Sequence, residues 1–143
     1  MSQQGIQIVV KGATQCAAKM ERFSGQLEKI LEREVKKAGY MVQRGAKINV
    51  TNVVLRRRSG LLGSSITNVA GRVDGKIAAI VGTDTVYGKT HEFGATITNG
   101  FGRGVLIRVP KRPWLSRAME ENREKIYAIF GDSVSMEIRK AGL

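Results

Sequence analysis

The chain of 143 residues contains one cysteine, one histidine and two prolines, and no run of apolar residues near the length of a membrane span. A single Cys excludes an internal disulfide. One His with one Cys cannot furnish the three or four nitrogen or sulfur ligands of an ordinary zinc site, so a metal site would have to be built from carboxylates alone. Spanning a bilayer takes about 18 or more apolar residues, which no segment offers. The start Met1-Ser2-Gln3-Gln4 lacks the charged and apolar regions of a signal peptide, so a soluble product of the cytoplasm is expected. Acid is also scarce: 12 Asp and Glu stand against 24 Lys and Arg, for a formal charge of +12. What is present suffices for a folded chain. Hydrophobic residues make up 42% and charged residues 25%, which permits a core, and the length fits one domain over 1–143.

The basic excess is local. No acid lies between Glu34 and Asp74, where Lys36, Lys37, Arg44, Lys47, Arg56, Arg57, Arg58 and Arg72 occur. None lies between Glu92 and Glu120, where Arg103, Arg108, Lys111, Arg112 and Arg117 occur. Clustered charge of one sign repels itself and is usually retained for an anionic partner or for solubility. No aromatic residue interleaves Arg56-Arg57-Arg58, so any nucleic acid would be met through its phosphates and not by base stacking.

Periodicity sets out an α+β order of strand, helix, strands, helix, in which a long N-terminal helix and a C-terminal helix pack on a small antiparallel sheet. Ile6, Ile8 and Val10 alternate with Gln7, Val9 and Lys11 as a short strand. From about Thr14 to Ile48, apolar residues recur at spacings of three and four, an amphipathic helix on the order of 50 Å long. A chain of this size has a radius of gyration of only about 14 Å. The helix must therefore break, with Ser24-Gly25 as the first candidate joint and Gly39 and Gly45 as others, or project onto a neighbouring subunit. Asn49 to Ser59 reads as a loop, followed by a helical turn capped by Ser59 with Leu62 and Ile66 on one face. Asp74-Gly75 predicts a hairpin between strands 67–73 and 76–82. Residues 82–94 read as irregular, with one helical turn around 89–93. A second hairpin is predicted from 95–98 and 105–109 about a glycine-rich tip. Pro113 opens the last helix, whose apolar stripe runs through Leu115, Met119, Ile126, Ile129, Phe130, Val134 and Ile138.

Motifs of catalysis are missing. His91-Glu92 begins like a zinc-protease motif, but Ala95 stands where the second His is needed. Gly100, Gly102 and Gly104 miss the dinucleotide-binding spacing, and Gly75-Lys76 lacks the hydroxyl residue of a phosphate loop. A Ser/His/Asp triad would have to use His91, and no Ser sits in a Gly-x-Ser-x-Gly elbow. His91 is read as a half-buried or interface imidazole and Cys16 as a small core residue. Neither an enzyme nor a cofactor is expected.

Three separated patches resemble the tail-completion or neck proteins of long-tailed bacteriophages. Ser59-Gly60-Leu61-Leu62-Gly63-Ser64-Ser65-Ile66 is similar to the family's Thr/Ser-Gly-x-Leu-x-x-Ser-Ile. Gly82, then Tyr87 through His91-Glu92-Phe93-Gly94, is similar to its Val-Gly and Tyr-x-x-x-x-Glu-Phe-Gly elements. Pro113-Trp114-Leu115 is similar to the Pro-Phe-Leu opening of its last helix. The resemblance implies a structural protein of the virion at the head-tail junction, a homo-oligomeric sixfold ring, with portal, neck or tail proteins as partners. Arg56, Arg57, Arg58, Arg103, Arg108, Lys111 and Arg112 are then the candidates to face DNA, without sequence preference, or an acidic partner surface. A rival from the charge alone is a basic nucleic-acid-binding protein that acts by itself.

Overall fold

The computed structural model describes residues 17–55, 60–98 and 104–142. The strand expected at Ile6–Val10 and Cys16 lie outside them, as do Arg56, Arg57, Arg58, Ser59 and Arg103. Helix α1 (Ala17–Ile48) runs for 32 residues without a break, about 48 Å, and a π-helical turn (Asn49–Val53) extends it. Then come a short helix α2 (Leu61–Ser65), strands β1 (Thr67–Val73) and β2 (Lys76–Gly82), helix α3 (Val86–Phe93), strands β3 (Ala95–Thr98) and β4 (Leu106–Val109), and helix α4 (Leu115–Lys140).

The α+β class is as expected, but the strands form two antiparallel pairs, β1–β2 and β3–β4, in place of one sheet. Helix α1 lies on the first pair, and α4 packs along α1. Helix α4 thus supplies the partner that lets α1 remain whole. Gly25 costs only about 1 kcal/mol relative to Ala in a helix, too little to break one supported along its length. Gly39 and Gly45, expected as break points, are instead places of close approach: an added Cβ would stand 2.5 Å from the Asn68 side chain at Gly39 and 3.3 Å from Ala118 Cβ at Gly45.

The first hairpin follows its turn. Asp74 and Gly75 both take positive φ, 49° and 77°, as a two-residue turn between right-twisted strands requires, and the register runs from Thr67↔Gly82 to Val73↔Lys76. Asn68, Ala70, Arg72, Ile77, Ala79 and Val81 share the α1 side, where Arg72 meets Glu28 at 2.9 Å and Glu32 at 3.4 Å. The buried core of the described residues is Val42, Ala46, Val50, Leu55, Ile66, Trp114 and Ala118, contributed by α1, the π-helical turn, the end of α2 and the start of α4. Met119 and Ile138, assigned to the apolar stripe of α4, are exposed, and Ala118 takes the inward place. Helix α4 also continues through Gly131-Asp132 to Lys140.

Glu34 is a buried charge within α1. Its Oε1 accepts from Arg33 Nε at 2.8 Å and Lys37 Nζ at 3.2 Å, while Oε2 has no hydrogen-bond partner. Burial pushes its pKa up, but the two cations outweigh this and hold it below the usual 4.5.

Candidate functional site: a carboxylate clasp beneath a basic hairpin

The segment expected as irregular contains the two-turn helix α3, which delivers Glu92 into the interior. Helix α4 has no acidic residue in its first turn and no side-chain cap of its own, so its leading N–H groups need acceptors from elsewhere. Glu92 provides them. Its Oε2 accepts from Trp114 N at 2.9 Å and Leu115 N at 2.8 Å, and its Oε1 accepts from Ser116 N at 3.0 Å and from the Ser116 hydroxyl. Burial pushes the carboxyl pKa up, but these donors outweigh burial and hold it below 4.5, so the group is ionised at neutral pH. Its negative charge also sits at the positive end of the helix dipole.

Trp114 is the centre of the arrangement, 1% exposed. Its Nε1 donates to Gly88 O of α3 at 3.0 Å, and its carbonyl accepts from Asn49 Nδ2 of the π-helical turn at 2.9 Å. The turn, expected as loop, is what brings Asn49 inside. Thus α1, α3 and α4 meet at one indole and one carboxylate.

The other residues of the three patches support the same joint. Gly60, at φ 79°, precedes α2, Leu62 packs on the core and Ile66 is buried in it. Ser65 donates to Leu62 O at 2.7 Å and bonds the Thr83 hydroxyl at 2.6 Å, just after Gly82 ends β2. Arg112 N donates to His91 O at 2.7 Å, which draws the chain ahead of Pro113 against α3. At Gly94 φ is 74°, and an added Cβ would meet Lys111 N at 3.1 Å and Val109 O at 3.2 Å, both backbone atoms. Gly94→Ala should cost about 2 kcal/mol through left-handed strain and displacement of β4, measured as a lowered urea midpoint at unchanged m. An unchanged midpoint would show that the close approach is not needed.

The structure leaves polar and basic groups on the surface around this joint. Lys47, Tyr87, His91 and Arg112 line an open cleft of about 1080 Å³ between the π-helical turn, α2 and α3. The His91 Nδ1 atom is buried without a hydrogen-bond partner. Arg108, Lys111 and Arg112 are exposed at the base of the β3–β4 hairpin, and Phe93 is exposed beside the buried Glu92. Three of the clustered bases are otherwise engaged: Lys37 with Glu34, Arg72 with Glu28 and Glu32, and Arg117 with Glu121. No group of three or more His, Cys, Asp or Glu is placed to hold a metal among the described residues, and no helix there is long and apolar enough to cross a membrane.

Sequence reasoning placed Glu92, Gly94, Trp114 and Leu115 in one family pattern but did not find that Glu92 caps α4. The available signal was an α4 start without an acid or hydroxyl cap, which implies an acceptor from another element. Asn49 carried no comparable signal.

No curated protein and no solved structure matches the chain. A family model described as "Bacteriophage HK97-gp10, putative tail-component" matches residues 14–94, from α1 through the Glu-Phe-Gly turn, and the chain belongs to this HK97-gp10-like family.

Proposed function

We propose that the protein is a structural, non-enzymatic component of the phage head-tail junction, one that assembles as a homo-oligomeric ring joining tail to portal complex around the DNA path. The observation that carries this reading is the family match over α1 to α3, a family of phage tail components. The geometry is consistent with it: Glu92, Gly94, Trp114 and Ile66 are used to hold elements together, while basic and apolar groups remain outside for partners. Arg56, Arg57 and Arg58 border the DNA path in this proposal, and the basic hairpin faces DNA or an acidic neighbour. A passing genome offers no fixed bases, so contacts are to phosphate and independent of sequence.

Mass in solution, alone and with tail or portal components, combined with a DNA titration, tests the proposal. A ring, or a monomer that assembles on those components, is expected, with DNA binding no tighter than the roughly 10⁻⁴–10⁻⁶ M of non-specific complexes. Replacing Arg56, Arg57 and Arg58 together by Gln should leave the assembly mass unchanged and make the salt dependence of DNA binding shallower by up to about three counterions. A protein that stays monomeric with every component and binds DNA tightly would instead favour the autonomous nucleic-acid-binding reading, to which the +12 charge also points.

A further inference from the structure

The β3–β4 hairpin is incomplete as a unit of structure. Each strand has four residues, they pair only with one another, and no other described element packs on them beyond glancing contact. A two-stranded hairpin is marginal in water unless a further strand or a surface packs on it. Its register places Ala95, Ile97, Ile107 and Val109 on one face, where the cross-strand pair Ile97 and Ile107 is 45% and 46% exposed. The other face carries Thr96, Thr98, Leu106 and Arg108.

A complementary surface exists on the same chain. The side of β1–β2 turned away from α1 carries the cross-strand pair Val69 and Ile80, 60% and 53% exposed, with Gly71 and Ala78 paired beside them. The small neighbours leave this face shallow enough for another sheet to approach to the usual 10 Å or so. Charge matches as well. Asp74 in the turn and Asp84 beyond β2 stand at opposite ends of β2, both exposed and neither in an ion pair among the described residues. With Glu92 buried as a cap, they are the two acids available between Glu34 and Glu120. The hairpin and its flank from Ala95 to Met119 hold no acid, and Lys111 and Arg112, just past β4, are exposed.

We propose that the occupant is a second copy: β3–β4 of one chain lays its Ile97/Ile107 face on the Val69/Ile80 face of the next, with its basic flank toward Asp74 and Asp84. The two surfaces differ, so the contact is head-to-tail and repeats around a ring until it closes. This inference rests on the ring reading above and supplies its interface. One such contact buries far less than the 800 Å² or so per partner of a stable pair, so isolated dimers are weak and closure provides the stability.

Cross-linking of the full chain tests it. In a Cys16→Ser background, one preparation carries Ile80→Cys and a second, differently tagged, carries Ile107→Cys. A short bis-maleimide should join the two chains in a mixture and leave each preparation alone uncoupled. Thr96→Cys, on the opposite hairpin face, should give at least tenfold less product than Ile107→Cys. Asp74→Lys with Asp84→Lys should lower the yield by a similar factor, and Lys111→Glu with Arg112→Glu on the other chain should restore it. Equal coupling through Thr96→Cys, or none through Ile107→Cys at concentrations up to millimolar, overturns the proposal. If mass then still shows a ring, this interface alone falls. If no association appears under any condition, the ring reading falls with it.

Discussion

Glu92→Ala should lower the stability of the fold by about 3 kcal/mol, and by more if no water reaches the vacated site. Three backbone N–H groups, from Trp114, Leu115 and Ser116, lose their acceptor together, and the Ser116 hydroxyl loses the same partner. Each buried donor left unpaired costs about 1–3 kcal/mol, with Ser116 at the low end because it is exposed. The dipole of α4 also loses its counter-charge, worth a further fraction of 1 kcal/mol. Against a total stability of about 5–15 kcal/mol this is a large share, visible as a fall of roughly 6–12 °C in Tm. Glu92→Gln keeps the shape but turns an amide toward backbone donors, and should lose most of the same stabilisation. The Gln variant also isolates the charge. The folded pKa of Glu92 lies below 4.5, so its ionised form stabilises the fold above the unfolded pKa, and that contribution is lost as pH falls through the folded value. The stability gap between the natural chain and Glu92→Gln should therefore be constant from pH 7 to about 5 and narrow as the solution is made more acidic. Glu34, also shifted down, titrates in both proteins and cancels from the difference. A gap that does not depend on pH would show that Glu92 stabilises by shape alone.

The clasp marks the boundary of what local sequence can convey. The Asp74-Gly75 turn was readable because its backbone conformation is set by two adjacent residues. The second hairpin was readable from two short segments about a glycine-rich tip, and α1 from its apolar spacing. The persistence of α1 was not, since the answer lies in α4, some 70 residues later, which gives it a packing partner. Glu92 and Trp114 lie 22 residues apart and Asn49 and Trp114 lie 65 apart, separations at which periodicity carries no information. The resemblance singled out Glu92, Gly94 and Trp114, which composition and spacing did not explain, and nothing in the sequence marked Asn49. The splitting of the strands into two pairs was hidden for a similar reason. Strand order and pairing depend on what else can cover each face, and for β3–β4 no described element does so beyond glancing contact. The basic excess behaves differently again. Counting showed where it lies along the chain, but the ion pairs of Lys37 and Arg72 show that part of it serves α1 and β1.

Trp114→Ala should be as costly as loss of the carboxylate, about 3–5 kcal/mol, because it combines a core cavity with a lost hydrogen bond. The indole is 1% exposed among Val42, Ala46, Val50, Leu55, Ile66 and Ala118, and its Nε1 satisfies Gly88 O. Trp114→Phe separates the two contributions. Phe keeps the aromatic packing but leaves Gly88 O without its donor, so a cost of about 1–3 kcal/mol is expected, smaller than for Ala. The backbone of residue 114 remains in both variants, so Asn49 and Glu92 can keep their bonds to it, and the measured loss belongs to the side chain. Urea unfolding followed by circular dichroism measures both, while the fluorescence of the natural chain, whose one tryptophan is Trp114, reports the clasp directly. In the natural protein the fluorescence and circular dichroism transitions should coincide, because the indole joins α3 and α4 to the core that α1 supplies. Glu92→Ala removes the support of α4 at that joint. Its fluorescence transition should then move to lower urea together with the loss of helix, as a single event. A clasp that opened well before the helices unfolded would mean that Trp114 and Glu92 tie the end of α4 locally and do not hold α1, α3 and α4 as one unit.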